Sequence, residues 1–310
     1  FKLLTQGIVG MTLYIHVKKE NRMISVITPT YNRGYILGKL KDSLERQTSH
    51  DFEWLIIDDG SSDNTKELVQ KWMLEDSSIC IRYFYHENGG KHRALNYGIP
   101  LAKGDYVFIV DSDDHLTDDS ILLINQWIDT IKDKEDIAGV AGLRGYPDGK
   151  RIGDYPKKKT YVDVKNSHRY TNHLTGDKAE IYKKTILVEH PFPEIEGEKF
   201  IGEGAVWNQL SLEGYKLRWF NQIIYVCDYL EDGLTCNAEL LNKSNFRGYT
   251  HNTKLNYKSI VYPYNLMAVA VYIGVAKNLG YSLKWVKETI GLSMIDLLIC
   301  KLIRIFRRMS

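Results

Sequence analysis

Tyr106-Val107-Phe108-Ile109-Val110-Asp111-Ser112-Asp113-Asp114 carries five apolar residues straight into three carboxylates within four positions. A short continuous apolar run reads as a strand covered on both faces, the kind found inside a parallel sheet. Carboxylates this close repel one another unless a cation neutralises them. Oxygen-only donors favour Mg²⁺ or Mn²⁺, which keep several waters and bridge to substrate phosphates. The plain alternative is a solvated turn capping a helix near Ser120, since Asp is common in turns. The apolar run directly before the cluster, and similar strand ends upstream, weigh against it.

Upstream, strand and helix alternate at short spacing. Ile24 to Thr28 is a β-branched run stopped by Pro29, Trp54 to Ile57 is continuously apolar, and Ile81 to Tyr85 reads as a third strand. Ile36 to Gln47, Thr65 to Leu74 and Lys91 to Ala102 have helical spacing, the second entered through the cap formers Ser61-Ser62-Asp63-Asn64. Such alternation specifies an α/β fold with a mainly parallel sheet and helices on both faces.

Ligands of open α/β sheets bind at the carboxyl ends of the strands. Here those ends hold Pro29-Thr30-Tyr31-Asn32-Arg33, Asp58-Asp59-Gly60-Ser61, Asn88-Gly89-Gly90-Lys91 and the Asp111-Ser112-Asp113-Asp114 cluster. Tyr31 offers a stacking face, and a carboxylate at the second strand end can accept a hydrogen bond from a uracil N–H. Lys91 follows two glycines, which lets backbone approach phosphate while the ammonium neutralises it. Taken singly, each has a bland reading: a half-buried aromatic, a turn with a helix cap, a solvated lysine. Together they suit a base, a ribose, a diphosphate and a metal.

Ser25 to Asn32, Ile57 to Asp63, Asn88 to Lys91 with Ala94-Leu95-Asn96, Gly104-Asp105-Tyr106 and the acid cluster resemble family 2 glycosyltransferases in order and spacing over about residues 23 to 130. The resemblance implies a GT-A fold, a nucleotide-sugar donor (commonly UDP) and inversion at the anomeric carbon. It implies Tyr31 and Asp59 at the base, Asp111 at the ribose, Lys91 near the nucleotide and Asp113 with Asp114 on the Mn²⁺ or Mg²⁺ ion, with Pro29, Arg33, Asp58, Gly90 and Ser112 also among the residues that bind the nucleotide sugar. An inverting transferase needs a general base opposite the leaving group. The family places that acid ahead of a Trp-bearing helix, which points to Glu203 in Phe200-Ile201-Gly202-Glu203-Gly204-Ala205-Val206-Trp207. Glu194, Glu196 and Glu198 compete nearby, since helix starts favour acids.

Three departures from the family pattern stand out. Gly204 replaces the Asp that often follows the base. Gln209 to Glu213 lacks the Gln-x-x-Arg-Trp motif of processive members, which favours transfer of one sugar per encounter. No histidine falls between Asp228 and Thr235, leaving Asp228, Glu231, Asp232 or donor oxygens and water to complete a metal shell. A nucleotidyltransferase would need a glycine-rich basic loop after the first strand, and Pro29 to Asn32 is not one. A nucleotide-sugar-binding scaffold without chemistry is the competing reading, opposed by the acid cluster and the candidate base.

The 310 residues, 44% apolar and 26% charged, can bury a sizeable core, and the net charge of +2 gives no field that argues for nucleic acid. Four well-separated cysteines fit a reducing compartment. The expected organisation is an N-terminal extension at 1–22, a catalytic domain at 23–235 (nucleotide half 23–115, acceptor half 116–235) and a helical region at 236–310.

After the acid cluster, Ser120 to Ile131 reads as a helix with Leu123, Trp127 and Ile131 on one stripe. Gly139 to Asp177 reads as irregular loops with short strands. A strand pattern returns at Lys216 to Val226, and helical spacing runs from Leu255. Ile290 to Ser310 reads as one amphipathic helix, with Ile295, Leu298, Ile299, Leu302, Phe306 and Met309 on one face and Ser293, Lys301, Arg304 and Arg308 opposite. Such a helix lies in a membrane interface without spanning it, which places the protein peripherally on the cytoplasmic face, near a glycan or lipid-linked acceptor. The alternative is packing of that helix on the catalytic domain or on a dimer partner.

Overall fold

A computed structural model of the protein describes residues 23–75, 78–228 and 238–309. The expected extension at 1–22, and the metal-ligand alternatives Glu231 and Asp232, lie outside the described residues. The nucleotide half runs β1 (Ile24–Thr30), α1 (Leu37–Glu45), β2 (Phe52–Asp58), α2 (Thr65–Leu74), β3 (Cys80–Tyr85), α3 (Lys91–Leu101) and β4 (Tyr106–Ile109). After the acid cluster come β5 (His115–Leu116), α4 (Ser120–Asp129), β6 (Ile137–Gly145), β7 (Tyr161–Val164), β8 (Lys178–Lys183), α5 (Lys184–Glu189), α6 (Gly204–Leu212) and β9 (Lys216–Val226). Five helices follow: α7 (Ala238–Ser244), α8 (Phe246–Ser259), α9 (Asn265–Asn278), α10 (Leu283–Ile290) and α11 (Met294–Met309).

One sheet gathers the strands in the order β3-β2-β1-β4-β8-β6-β9-β5, with β7 also on β9. β1 pairs in parallel with both β2 and β4, whereas β8 is antiparallel to β4 and to β6. Alternation along each strand divides the core. Val26, Trp54, Ile56 and Phe108 enter the cluster on one face, and Ile27, Leu55, Ile57 and Val107 the cluster on the other. Because β2 and β4 flank β1 on opposite sides, the connections diverge there and leave a crevice at the carboxyl ends of β1 and β4.

Pro29 does not end β1 as expected. Pairing with β4 stops at Ile27, and Pro29 shares Ile27's orientation towards β4, so its missing N–H costs no ladder bond and the strand continues to Thr30. In α4 the buried stripe is Ile121, Ile124, Trp127 and Ile128, with Leu123 only partly buried at its margin.

The larger correction is β6. The glycines that suggested loops lie in a buried nine-residue strand because neighbours leave no room for side chains. A Cβ on Gly139 would fall 2.0 Å from the Ile181 carbonyl oxygen, and one on Gly142 would fall 2.6 Å from Ile224 Cγ1.

Helices α8–α11 have their own core, built on Phe246, Leu266, Tyr272, Ile273, Val286 and Leu297, and α8 packs on α6. Helical structure therefore begins at Ala238, ahead of the expected Leu255. The tail helix starts at Met294, after the expected Ile290, because Gly291 adopts the left-handed conformation (φ 82°) that closes α10. Among the described residues no helix is long and apolar enough to cross a membrane.

Candidate active site

The loops after β1, β2 and β4 and the start of α3 meet over a cleft of about 380 Å³. Pro29, Thr30, Tyr31 and Arg33 line one side, Asp59, Asn88, Gly90 and Lys91 another, and Asp111 to Asp114 the floor. Tyr31 is half exposed, leaving its ring open.

Asp59 shapes the α3 loop. Its carboxylate accepts from the N–H groups of Gly89 and Gly90, both at 2.8 Å, and from Asn88 Nδ2 at 3.1 Å. Gly90 sits at φ 95°, and a Cβ there would fall 1.8 Å from the Lys199 carbonyl oxygen, so only glycine fits. Asp58 is not part of the cleft. It is fully buried and accepts from Ser61 N at 2.7 Å and Tyr83 Oη at 2.6 Å, which makes it the support of its turn.

The three acids of the cluster have different surroundings. Asp111 is ion-paired with Lys91, and Arg144 lies 3.8 Å away. Burial would raise its pKa, but the charges of Lys91 and Arg144 bring it below the ordinary carboxylate range. Asp114 accepts from Tyr225 Oη at 2.7 Å and from Asp228 N at 3.0 Å. Burial first, then the Asp111 charge, push its pKa to about 7. Asp113, in the cleft wall, is raised by the same two causes in the same order. Among the described residues no three His, Cys, Asp or Glu side chains form a ready metal cage. Asp228 lines the cleft and is ion-paired with Lys39.

Glu203 stands at the N-cap of α6, with Oε1 2.8 Å from Lys91 Nζ. Lys91 thus ties the candidate base to Asp111. Burial lowers its pKa, but the two carboxylates outweigh that and hold it well above the usual lysine range.

Several cleft residues were not anticipated. Arg144 comes from β6, where the pairing with β9 shifts register between Leu143 and Arg144. A shift of this kind re-aims a side chain. Its guanidinium stacks 4.1 Å from the centre of the Tyr225 ring and donates from Nε to the Lys178 carbonyl at 2.8 Å. Asp177, Lys199, Phe200 and Leu241 complete the wall. Glu180 on β8 has its pKa raised to about 7, chiefly by burial, with the Arg169 guanidinium 3.9 Å away acting against the rise. The alternating apolar face of β8 was the only sequence signal for this group.

A crevice at the β1/β4 divergence, floored by acids and flanked by lysine and arginine, defines the GT-A class of nucleotide-diphospho-sugar transferase folds. Residues 25–186, more than half the chain, match the family described as Glycosyl transferase family 2. The chain belongs to that family.

Among curated relatives, glycosyltransferase GlyG of Streptococcus pneumoniae serotype 4 is 37% identical over 120 residues, covering 38% of this chain and 39% of GlyG. The GalNAc(5)-diNAcBac-PP-undecaprenol beta-1,3-glucosyltransferase of Campylobacter jejuni is 28% identical over 273 residues, covering 82% of this chain and 84% of that one. Among solved structures, S. aureus TarS 1-349 in complex with UDP-GlcNAc gives a TM-score of 0.61 at 20% identity, covering 83% of this chain and 73% of that one. The mannosyltransferase PcManGT from Pyrobaculum calidifontis, in complex with GDP-Man and Mn²⁺, gives 0.54 at 17% identity, covering 86% and 72%. The chain spans 39% and 36% of the length of the first two curated relatives it matches.

Proposed function

We propose that the protein is a metal-dependent, inverting glycosyltransferase. It would move one sugar from a nucleotide diphosphate donor, a UDP-sugar, to a hydroxyl of a glycan or lipid-linked acceptor in cell-surface polysaccharide synthesis. The observation that carries this reading is the chain Asp111–Lys91–Glu203, which joins the cleft floor to a carboxylate at the start of α6, just behind the cleft lining. The PP-undecaprenol substrate for which the Campylobacter relative is named supports a lipid-linked acceptor, and the UDP-GlcNAc bound to TarS supports a UDP-sugar.

The donor set fits a hard cation shared with substrate. Asp113 supplies a carboxylate oxygen, and donor phosphates and water supply the rest. Asp114, expected as a second ligand, is engaged by Tyr225 and Asp228 and acts by holding the floor in place. A Mn²⁺ or Mg²⁺ ion bound there offsets charge that develops on the departing diphosphate.

The protein's own groups do the remaining work. Tyr31 and Pro29 flank the base, and Arg33, Lys91 and Arg144 supply positive charge along the phosphates. Lys91 grips Glu203 before the donor arrives. A diphosphate competes for that ammonium, and as the ion pair loosens the Glu203 carboxylate is left free to accept a proton. Glu203 then takes the proton of the acceptor hydroxyl as its oxygen bonds to the anomeric carbon. The bond from that carbon to the diphosphate breaks on the opposite face, which inverts the configuration.

The test is turnover of a panel of sugar nucleotides with Mn²⁺ by wild type and Asp113→Ala. Metal-stimulated turnover lost in the variant is the expected result. A wild type that binds UDP yet neither transfers nor hydrolyses any of them would overturn the enzymatic reading in favour of a nucleotide-binding scaffold.

A further inference from the structure

Helix α11 packs against α9, and the side it turns inward is not the one its sequence makes most apolar. Leu297 and Cys300 are buried, and Arg304 donates to the Ala270 carbonyl at 2.9 Å, so Arg304 does not belong to a free polar face. Outward, Met294, Ile295, Leu298, Leu302 and Ile305 are each between 54% and 69% exposed. At about 100° per residue these five positions fall within a third of the helix circumference, on a rod about 24 Å long. Of the face expected to be apolar, Ile295, Leu298 and Leu302 are thus turned to solvent, while Ile299 packs on the helical core and the other side of the helix meets α9 within the helical region.

Charge selects what covers this stripe. The only carboxylate of α11, Asp296, is drawn aside by Tyr257 Oη and Ser293 Oγ, both at 2.7 Å. Lys301 is exposed beside the stripe. The last ten residues contain Lys301, Arg304, Arg307 and Arg308 and no acid. A second copy would bring the same positive charge to the contact, whereas an anionic bilayer brings the opposite one.

We propose that the outward face of α11 is a docking surface for an anionic lipid bilayer, with Leu298 and Leu302 among the side chains entering the acyl boundary and Lys301 meeting headgroups. It stands independently of the donor chemistry, and it would bring the protein to the surface where a lipid-linked acceptor resides.

The test is flotation of the full chain with phosphatidylcholine vesicles containing 30% phosphatidylserine or none, for wild type and for Leu298→Glu/Leu302→Glu. UDP binding and the unfolding temperature serve as fold controls. Wild type should float with anionic vesicles, release on raising the salt, and partition at least tenfold better than the double variant. Equal partitioning of the two proteins, or equal binding to uncharged vesicles, would overturn the proposal. So would a variant that loses self-association by light scattering while its vesicle binding is unchanged, which would make a second copy the occupant.

Discussion

The parallel half of the sheet, β3-β2-β1-β4, and the mixed half, β8-β6-β9, build the same cleft by different means. In the first, a buried apolar strand stops at the rim and the next residues are the polar ones the cleft uses: Tyr31 after β1, Asp59 after β2, Asp111 after β4. In the second, the contributions come from a register shift (Arg144) and from loops (Asp177 and Lys199), and the helix-cap residue Glu203 reaches the cleft only through its ion pair with Lys91. The parallel half thus repeats one device, while the mixed half is assembled from individual solutions. Variation in sugar and acceptor would then concentrate in the mixed half, leaving the donor grip intact.

The largest break in that comparison comes from Glu203→Gln. Loss of a general base costs about a hundredfold to ten-thousandfold in kcat, while UDP affinity should stay within about threefold of wild type. A comparable loss of UDP affinity would place Glu203 on the nucleotide side instead. Arg144→Met should have a smaller effect, raising the donor KM by roughly tenfold to a hundredfold, as expected when one charge-assisted contact to a diphosphate is removed. An unchanged donor KM would confine Arg144 to supporting Tyr225.

Glu180→Gln sharpens the contrast through stability. The carboxyl ionises at its ordinary 4.5 in the unfolded chain and at about 7 in the fold. The folded state holds the proton more tightly, so this group costs nothing below pH 4.5, and its penalty grows up to pH 7 and is constant above. The variant should therefore gain on wild type as pH rises from 4.5 to 8, by at most about 3 kcal/mol, in urea unfolding. A gap independent of pH would show that Glu180 holds its proton equally in the folded and unfolded chain.

The nucleotide half was legible because strand period, turn residues and cleft chemistry coincide in each short segment, as at Ile57-Asp58-Asp59-Gly60. Even there Asp58 and Asp59 could not be separated by sequence. Their different fates depend on Tyr83 from β3 and the Gly89–Gly90 N–H groups of the α3 loop. β6 was hidden because its glycines answer to Ile181 and Ile224, residues distant in sequence. Arg144 was hidden with it. In α11 the apolar face was readable, but which face the domain would take depended on α9, through the Arg304 contact at Ala270.

The central claim is that a divalent cation held by Asp113 couples this floor to the donor diphosphate, and calorimetry of UDP binding tests it most directly. With Mn²⁺ present, wild type should bind UDP at least tenfold more tightly than in chelator, and Asp113→Ala should bind equally with and without the metal. Wild-type affinity that is the same in Mn²⁺ and in chelator would contradict the account.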